Sequence, residues 1–295
     1  MNKNKIKELD ILVSTDRNYI PLLKVLLHSL FSNNIDCKIH IHVLHSSLNK
    51  KDLSEIEKTI AIYDGVFSSY RISANHESET MNKKTALPKE TYFRLLCMDY
   101  LPATVKKVLY LDCDIVINGP LKEFYDTDLT GYMFAAAYDN AEVIGEEFDV
   151  LLLPTLRVKQ YDLMPDIYKY VNTGVLLMNV EYMRELVTTE EIIDMIEKLG
   201  SRNILHFHDQ DFINFVFHKY ILYIDYVMYN YLPIYKDWDE LKPGAPVIIH
   251  FLGPFKPWKD DYFDVCEKYL AHRNNRTRPF AEQAKELYEK YAAMG

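Results

Sequence analysis

Two observations predict an α/β fold built on a mixed, mostly parallel sheet. The first 72 residues alternate short apolar runs with stretches of helical periodicity. Further along, Val108-Leu109-Tyr110-Leu111 ends abruptly in Asp112-Cys113-Asp114, as a buried strand does where it surfaces into a polar loop. Open α/β sheets bind their ligands at such carboxyl ends.

The elements follow in order. Leu9 to Ser14 reads as a strand, Thr15 to Asn18 as a polar loop, and Leu22, Leu23, Leu26, Leu27 and Leu30 as a helix with Pro21 in its first turn. Ile39, Ile41 and Val43 alternate with His40 and His42, the pattern of a half-buried strand whose histidines face solvent. Leu53, Ile56 and Ile60 mark an amphipathic helix, and Val66 to Ile72 a third strand. Ser73 to Thr85 is a polar loop, after which Pro88 starts a helix carrying Tyr92 and Arg94. Later strands are expected at Met133 to Tyr138, Val175 to Val180, Ile221 to Ile224 and Val247 to Phe251. Between Asn140 and Tyr170 the pattern weakens, which points to a functional loop or a small subdomain with little regular structure. After Trp258 the chain reads as helical, with a polar break at Asn274 to Arg278. The division expected is therefore an α/β domain at 1–258 and a helical C-terminal extension at 259–295.

A formal net charge of -9 argues against nucleic-acid binding, which depends on clustered positive charge. An anionic ligand must then be met by local cations or by a metal. The four cysteines lack metal-finger spacing and Met1 leads into a charged stretch, so a cytoplasmic protein with reduced thiols is expected. No apolar run approaches the roughly 20 residues that cross a bilayer. Lys259 to Gly295 mixes Lys and Arg with a comparable set of Asp and Glu, which gives little support to peripheral attachment at the inner membrane face.

Asp112 and Asp114 place two anions together, and a bound cation is the natural resolution of their repulsion. Oxygen ligands suit Mg2+ or Mn2+, ions that commonly hold a substrate phosphate as well. Gly253 would let the backbone approach such a phosphate, and Lys256 could offer it an ammonium. Taken alone, Asp16 and Asn18 are helix-capping residues and Tyr19 packs beside them. Asp209 could likewise cap a helix starting near Phe212. His206 and His208 could in principle form a metal pair, but an accessory role for His208 is the better reading.

Six pieces in order resemble glycosyltransferase family 8, a retaining group that includes bacterial lipooligosaccharide galactosyl- and glucosyltransferases and glycogenin. They are Ser14-Thr15-Asp16-Arg17-Asn18-Tyr19, Thr91-Tyr92-Phe93-Arg94-Leu95, Leu109-Tyr110-Leu111-Asp112-Cys113-Asp114, Asn172-Thr173-Gly174-Val175-Leu176, His208-Asp209-Gln210-Asp211, and His250-Phe251-Leu252-Gly253-Pro254-Phe255-Lys256-Pro257-Trp258. The resemblance implies a Rossmann-like glycosyltransferase A-type fold and a hexose transferred from UDP-galactose or UDP-glucose to a saccharide or glycoconjugate acceptor. It makes His250 the third metal ligand beside Asp112 and Asp114. A nitrogen ligand favours Mn2+, with Mg2+ the alternative. It assigns Asp16, Asn18 and Tyr19 to the uridine and Arg94 to the donor sugar or diphosphate, with Ser14, Gly253 and Lys256 expected as further donor contacts. Asn172 and Asp209 fall around the transferred sugar, with Gln210 nearest its reactive carbon. An amide there implies same-face transfer rather than double displacement. Asp139, after the Met133 to Tyr138 strand, is the expected acceptor contact.

Two other readings stand beside this one. Asp112-Cys113-Asp114-Ile115-Val116 also resembles the opening motif of haloacid-dehalogenase-type phosphatases, in which the first aspartate attacks phosphate. That motif normally opens the core, whereas three strands are expected to precede it here. A noncatalytic nucleotide-sugar binding protein is the third reading.

Overall fold

The computed structural model describes residues 7–83, 88–138, 170–205, 207–233, 244–271 and 278–295. Its strands are β1 (Lys7–Ser14), β2 (Cys37–His45), β3 (Val66–Arg71), β4 (Lys107–Leu111), β5 (Ile115–Ile117), β6 (Phe134–Tyr138), β7 (Val171–Asn179), β8 (Ile221–Ile224) and β9 (Ile248–His250). Seven of them form the central sheet in the order β3-β2-β1-β4-β7-β6-β8. The pairs from β3 to β4 are parallel, β7 is antiparallel to both its neighbours, and β6 runs parallel to β8. The sheet is thus mixed and mostly parallel, as expected. β5 and β9 pair antiparallel in a small second sheet.

Strand periodicity divides the core in two. Ile11, Val13, Ile41, Val43, Leu109 and Leu111 pack on one face with α1 (Ile20–Ser32) and α2 (Lys50–Ala61). Leu12, Leu44, Val108 and Tyr110 pack on the other with Tyr92, Phe93 and Leu95. The helix expected after Pro88 is a tight 3-10 turn over Lys89–Leu96 that continues as a short α-helix, Cys97–Tyr100.

Burial on both faces corrects one expectation. His42 is not solvent-facing: its side chain is fully buried and has a carboxylate partner, Asp10, while His40 is partly covered. Alternation marks a wet face only when the sheet has one, and helices cover both faces here.

The strand expected from Val175 begins earlier, at Val171, and gives way at Val180 to a helix. Because β7 runs against β4, its first residues lie beside the end of β4, and the Asp112 N–H donates to the Gly174 carbonyl at 2.8 Å. This reversal carries Asn172, Thr173 and Gly174 to the Asp-x-Asp turn. Helices Tyr262–Ala271 and Arg278–Ala292 close the chain; Tyr262, Cys266, Ala281 and Tyr291 pack with Val25 of α1 and with Phe251 and Phe255. Most of the polar break expected at Asn274 to Arg278 lies outside the described residues, as do the expected acceptor contact Asp139 and the loop expected from Asn140 to Tyr170, up to residue 169. Among the described residues, no helix is long and apolar enough to cross a membrane.

Candidate active site

β1 and β4 are neighbours, so the residues that follow them meet at one sheet edge. There they open a cleft of about 270 Å³ lined by Ser14, Asp16 and Tyr19 from the first loop, Asp112 and Asp114 from the second, and Arg94, His250, Gly253 and Lys256. Nine of the predicted site residues therefore share one cavity.

The cation site is the best-defined part. His250 Nε2 lies 3.2 Å from Asp114 Oδ1 and 4.0 Å from Asp112 Oδ2, and one ligand atom from each residue can meet within 4.8 Å. That nitrogen is buried and has no hydrogen-bond partner. A buried lone pair aimed at two carboxylates is unfavourable alone and is what a divalent ion would satisfy. Gly174 makes room for the arrangement: a Cβ there would sit 2.2 Å from His250 Cε1 and 2.8 Å from Asp112 Oδ2. The residues present fit a divalent metal.

Burial works to raise the pKa of Asp114, but the Lys256 ammonium holds its carboxyl well below the usual range. Lys256 bonds Asp114 Oδ2 and the Phe251 carbonyl, each at 2.5 Å. Gly253 has φ 58°, a conformation open to glycine at little cost, so the turn between His250 and Lys256 closes without strain.

Arg94 is almost fully buried and is engaged by the protein. Its guanidinium bonds the carbonyls of Thr91 and Thr173, and lies 3.1 Å from both Asp112 Oδ1 and Asp209 Oδ2. It covers the Tyr110 ring at 3.9 Å, and the Tyr110 hydroxyl donates to Asp112 Oδ1 at 2.7 Å. One oxygen of Asp112 is thereby fixed by two side chains, which leaves the other turned toward His250.

Asp16 does cap the following turn, accepting from the Asn18 and Tyr19 N–H groups at 2.7 and 3.2 Å. Capping and cleft lining are compatible, because the cap holds Tyr19 at the cleft wall with 37% of its surface exposed. Asn18 is exposed, bonds Asp16 through its amide, and does not line the cleft. Ser14 Oγ is buried without a partner.

Asn172, Asp209 and Gln210 stand behind the cleft wall in one polar network. The Asn172 amide donates to Gln210 Oε1 at 3.0 Å, and the Thr173 N–H donates to the same oxygen at 3.3 Å. Asp209 opens the helix Asp209–Val216 rather than capping it, since His208 is the N-cap. Burial and the charge of Asp112 push the Asp209 carboxyl up to about 6, opposed by Arg94. His208 stacks on Tyr92, and burial lowers its pKa to about 4, which leaves a neutral ring; His206 lies outside the described residues.

Sequence reading missed Asn230. It accepts from His250 Nδ1 at 2.8 Å and donates to Asn172 Oδ1 at 2.9 Å, so a continuous chain of bonds runs from His250 through Asn230 and Asn172 to Gln210. Nothing in Tyr229-Asn230-Tyr231 marks this role. Tyr110 was legible only as an apolar strand residue, although its place two before Asp112 sets both side chains on one face.

The chain is similar to other proteins over almost its whole length. It is 23% identical over 290 residues to General stress protein A of Bacillus subtilis, covering 92% of this chain and 96% of that protein. It is 25% identical over 277 residues to a lipopolysaccharide 1,2-glucosyltransferase of Escherichia coli, covering 88% and 78%. In three dimensions it matches galactosyltransferase LgtC, solved in complex with donor and acceptor sugar analogues, with a TM-score of 0.69 at 22% identity over 93% of this chain and 96% of that one. This likeness carries the glycosyltransferase A-type fold. Residues 10–262, which include every cleft residue described above, match glycosyl transferase family 8, and the chain belongs to that family.

Proposed function

We propose that the chain is a metal-dependent retaining hexosyltransferase that moves galactose or glucose from a UDP-sugar to a saccharide or glycoconjugate acceptor. The observation that carries the reading is the buried, partnerless His250 Nε2 facing Asp112 and Asp114 in a cleft whose wall also presents Asp16 and Tyr19. Mn2+, or Mg2+ in its place, would be held by Asp112, Asp114 and His250 and would stabilise the departing diphosphate as a Lewis acid.

The protein's own residues do the rest. Tyr19 offers a ring face for uracil, and Ser14 a hydroxyl to the nucleoside end. Lys256 adds fixed positive charge that strengthens its hold on the diphosphate as the glycosidic bond breaks. Arg94 and Tyr110 lock Asp112 and so act through it.

Retention fits the chemistry of the side chains behind the cleft wall. Asp209 is buried and bound by Thr173 at 3.2 Å and by Arg94, which suits it to hydroxyl recognition rather than attack. Gln210 is an amide and too weak a nucleophile for an ordinary double displacement. Same-face transfer, with the leaving phosphate taking the acceptor's proton, fits these residues. On this reading 1–258 is the catalytic domain and 259–295 braces it through the packing on Val25 and Phe251.

The phosphatase alternative loses its support with family membership, and Asp112, held by Arg94 and Tyr110, is a restrained group rather than a poised nucleophile. UDP release from a panel of UDP-sugars, with Mn2+ and with EDTA, tests the proposal. Metal-dependent turnover of UDP-galactose or UDP-glucose with an α-linked product by NMR is expected. A β product, or binding of every donor without turnover given a range of saccharide acceptors, would overturn it.

A further inference from the structure

A second cluster of metal-ligating groups lies on β1 and β2, and none of its members lines the cleft. We propose that Asp10, His40 and His42 form a binding site for a Zn2+-class ion that ties β1 to β2.

The backbone brings the three together. Asp10 is the register partner of His40 in the parallel pair, and the i, i+2 spacing of His40 and His42 puts both rings on one face. The ring centroids are 3.9 Å apart. His42 Nε2 lies 2.8 Å from Asp10 Oδ1, and His40 Nδ1 lies 3.7 Å from the same oxygen. A tetrahedral ion with bonds of about 2.0–2.1 Å holds its ligands about 3.3 Å apart, a value these two separations bracket. A hydrogen bond to Asp10 engages only His42, because 3.7 Å is too long for a bond from His40 Nδ1. An ion between them would satisfy both nitrogens and the carboxylate.

The outer contacts also suit a metal site. The remaining nitrogen of each ring faces a hydroxyl on β3: His40 Nε2 meets Ser68 Oγ at 2.9 Å, and His42 Nδ1 meets the Tyr70 hydroxyl at 3.1 Å. Metal-binding histidines commonly have their second nitrogen fixed this way, which sets the tautomer and ring direction. Access is present too. The His42 side chain is fully buried, but those of His40 and Asp10 are 29% and 27% exposed, so an ion can enter and keep a water as fourth ligand. Two imidazoles and one carboxylate select Zn2+ or Co2+ over Mg2+ or Ca2+.

The test uses the full chain carrying Asp112→Asn and Asp114→Asn, which disables the cleft's cation site and leaves this one intact. After chelator treatment it is titrated with Co2+, and the Co2+ is then displaced by Zn2+. One ion per chain is expected, with the visible absorption of four-coordinate Co2+ and a Tm that rises with Zn2+. Adding His40→Ala, or separately Asp10→Asn, should weaken binding by at least about tenfold and abolish that rise. Both positions are partly exposed, and circular dichroism verifies that each variant is folded. Failure of the Asp112/Asp114 variant to bind an ion stoichiometrically would overturn the site, and so would binding indifferent to both additional substitutions. Neither result would bear on the donor cleft.

Discussion

The chain of bonds from His250 to Gln210 predicts that Asn230 serves two functions that substitution can separate. If His250 Nε2 is to bind a metal, its proton must sit on Nδ1 and be donated to Asn230 Oδ1, 2.8 Å away. The amide orientations further along are fixed independently. The Gly174 N–H donates to Asn172 Oδ1 at 3.0 Å and the Thr173 N–H donates to Gln210 Oε1, so neither amide can turn over without facing a donor with a donor. Asn230→Ala strands the buried Nδ1–H, at a cost of about 1–3 kcal/mol, while Asn172 Oδ1 keeps its bond from Gly174. Loss of such a support should weaken metal affinity by about 10–100-fold.

Asn230→Asp behaves differently. A carboxylate still accepts the His250 proton, so metal affinity should be retained or tightened. Its other oxygen, however, would face Asn172 Oδ1 where an amide donor now stands at 2.9 Å. Asn172 must shift, and Gln210 Oε1 loses the shorter of its two bonds, keeping the one from the Thr173 N–H. One lost hydrogen bond of about 1.4 kcal/mol corresponds to about a tenfold fall in kcat. Calorimetric Mn2+ titration in the presence of UDP reads the first effect, and kcat against KM for the donor reads the second. If the two variants weaken metal binding equally, or if neither alters metal affinity or kcat by twofold, the chain of bonds is packing and nothing more.

Asp112→Asn and Asp114→Asn should each abolish turnover with the fold largely intact, and calorimetry should show UDP binding that no longer responds to Mn2+; equal UDP affinity of the native protein in Mn2+ and in EDTA would refute the metal assignment. Tyr19→Ala should weaken UDP and UDP-sugar together by about 1–3 kcal/mol, the usual worth of a stacked base, and unchanged UDP affinity would return Tyr19 to packing. Asp209→Asn should stabilise the ligand-free protein at neutral pH. Its folded pKa of about 6 stands above the ordinary carboxyl value of 3.8, so the folded state holds a proton that the unfolded state releases. Stability therefore falls as pH rises between those values, by about 3 kcal/mol in all, and the loss is absent below the lower one. The Tm gain from Asp209→Asn should accordingly shrink between pH 7.5 and pH 5; a gain independent of pH would contradict a carboxyl whose burial outweighs its pairing with Arg94.

The ends of strands were the legible part of this molecule. Ser14, Asp16 and Asp112 could be placed on one edge because a parallel sheet aligns the carboxyl ends of β1 and β4, and apolar runs show where those ends are. What lies behind the cleft was not legible, for two physical reasons. β7 runs antiparallel, so Asn172 and Gly174 reach Asp112 from the start of their strand, and a polar Asn-Thr-Gly at that start hides the strand's true beginning at Val171. Asn230, in turn, makes its contacts from a loop with no periodicity to read. His42 shows the complementary limit: alternation reported the face its ring is on, but whether that face is wet depends on the segment at Lys89–Leu96, which folds over it from elsewhere in the chain. Arg94 falls under the same logic. Its helical neighbours were readable, yet its role depends on Asp112, Thr173 and Asp209 arriving from three separate elements. A residue whose partners are local can be assigned from sequence, whereas one that couples distant elements must wait for the topology, and the residues that hold Asp112, His250 and Gln210 in register are of the second kind.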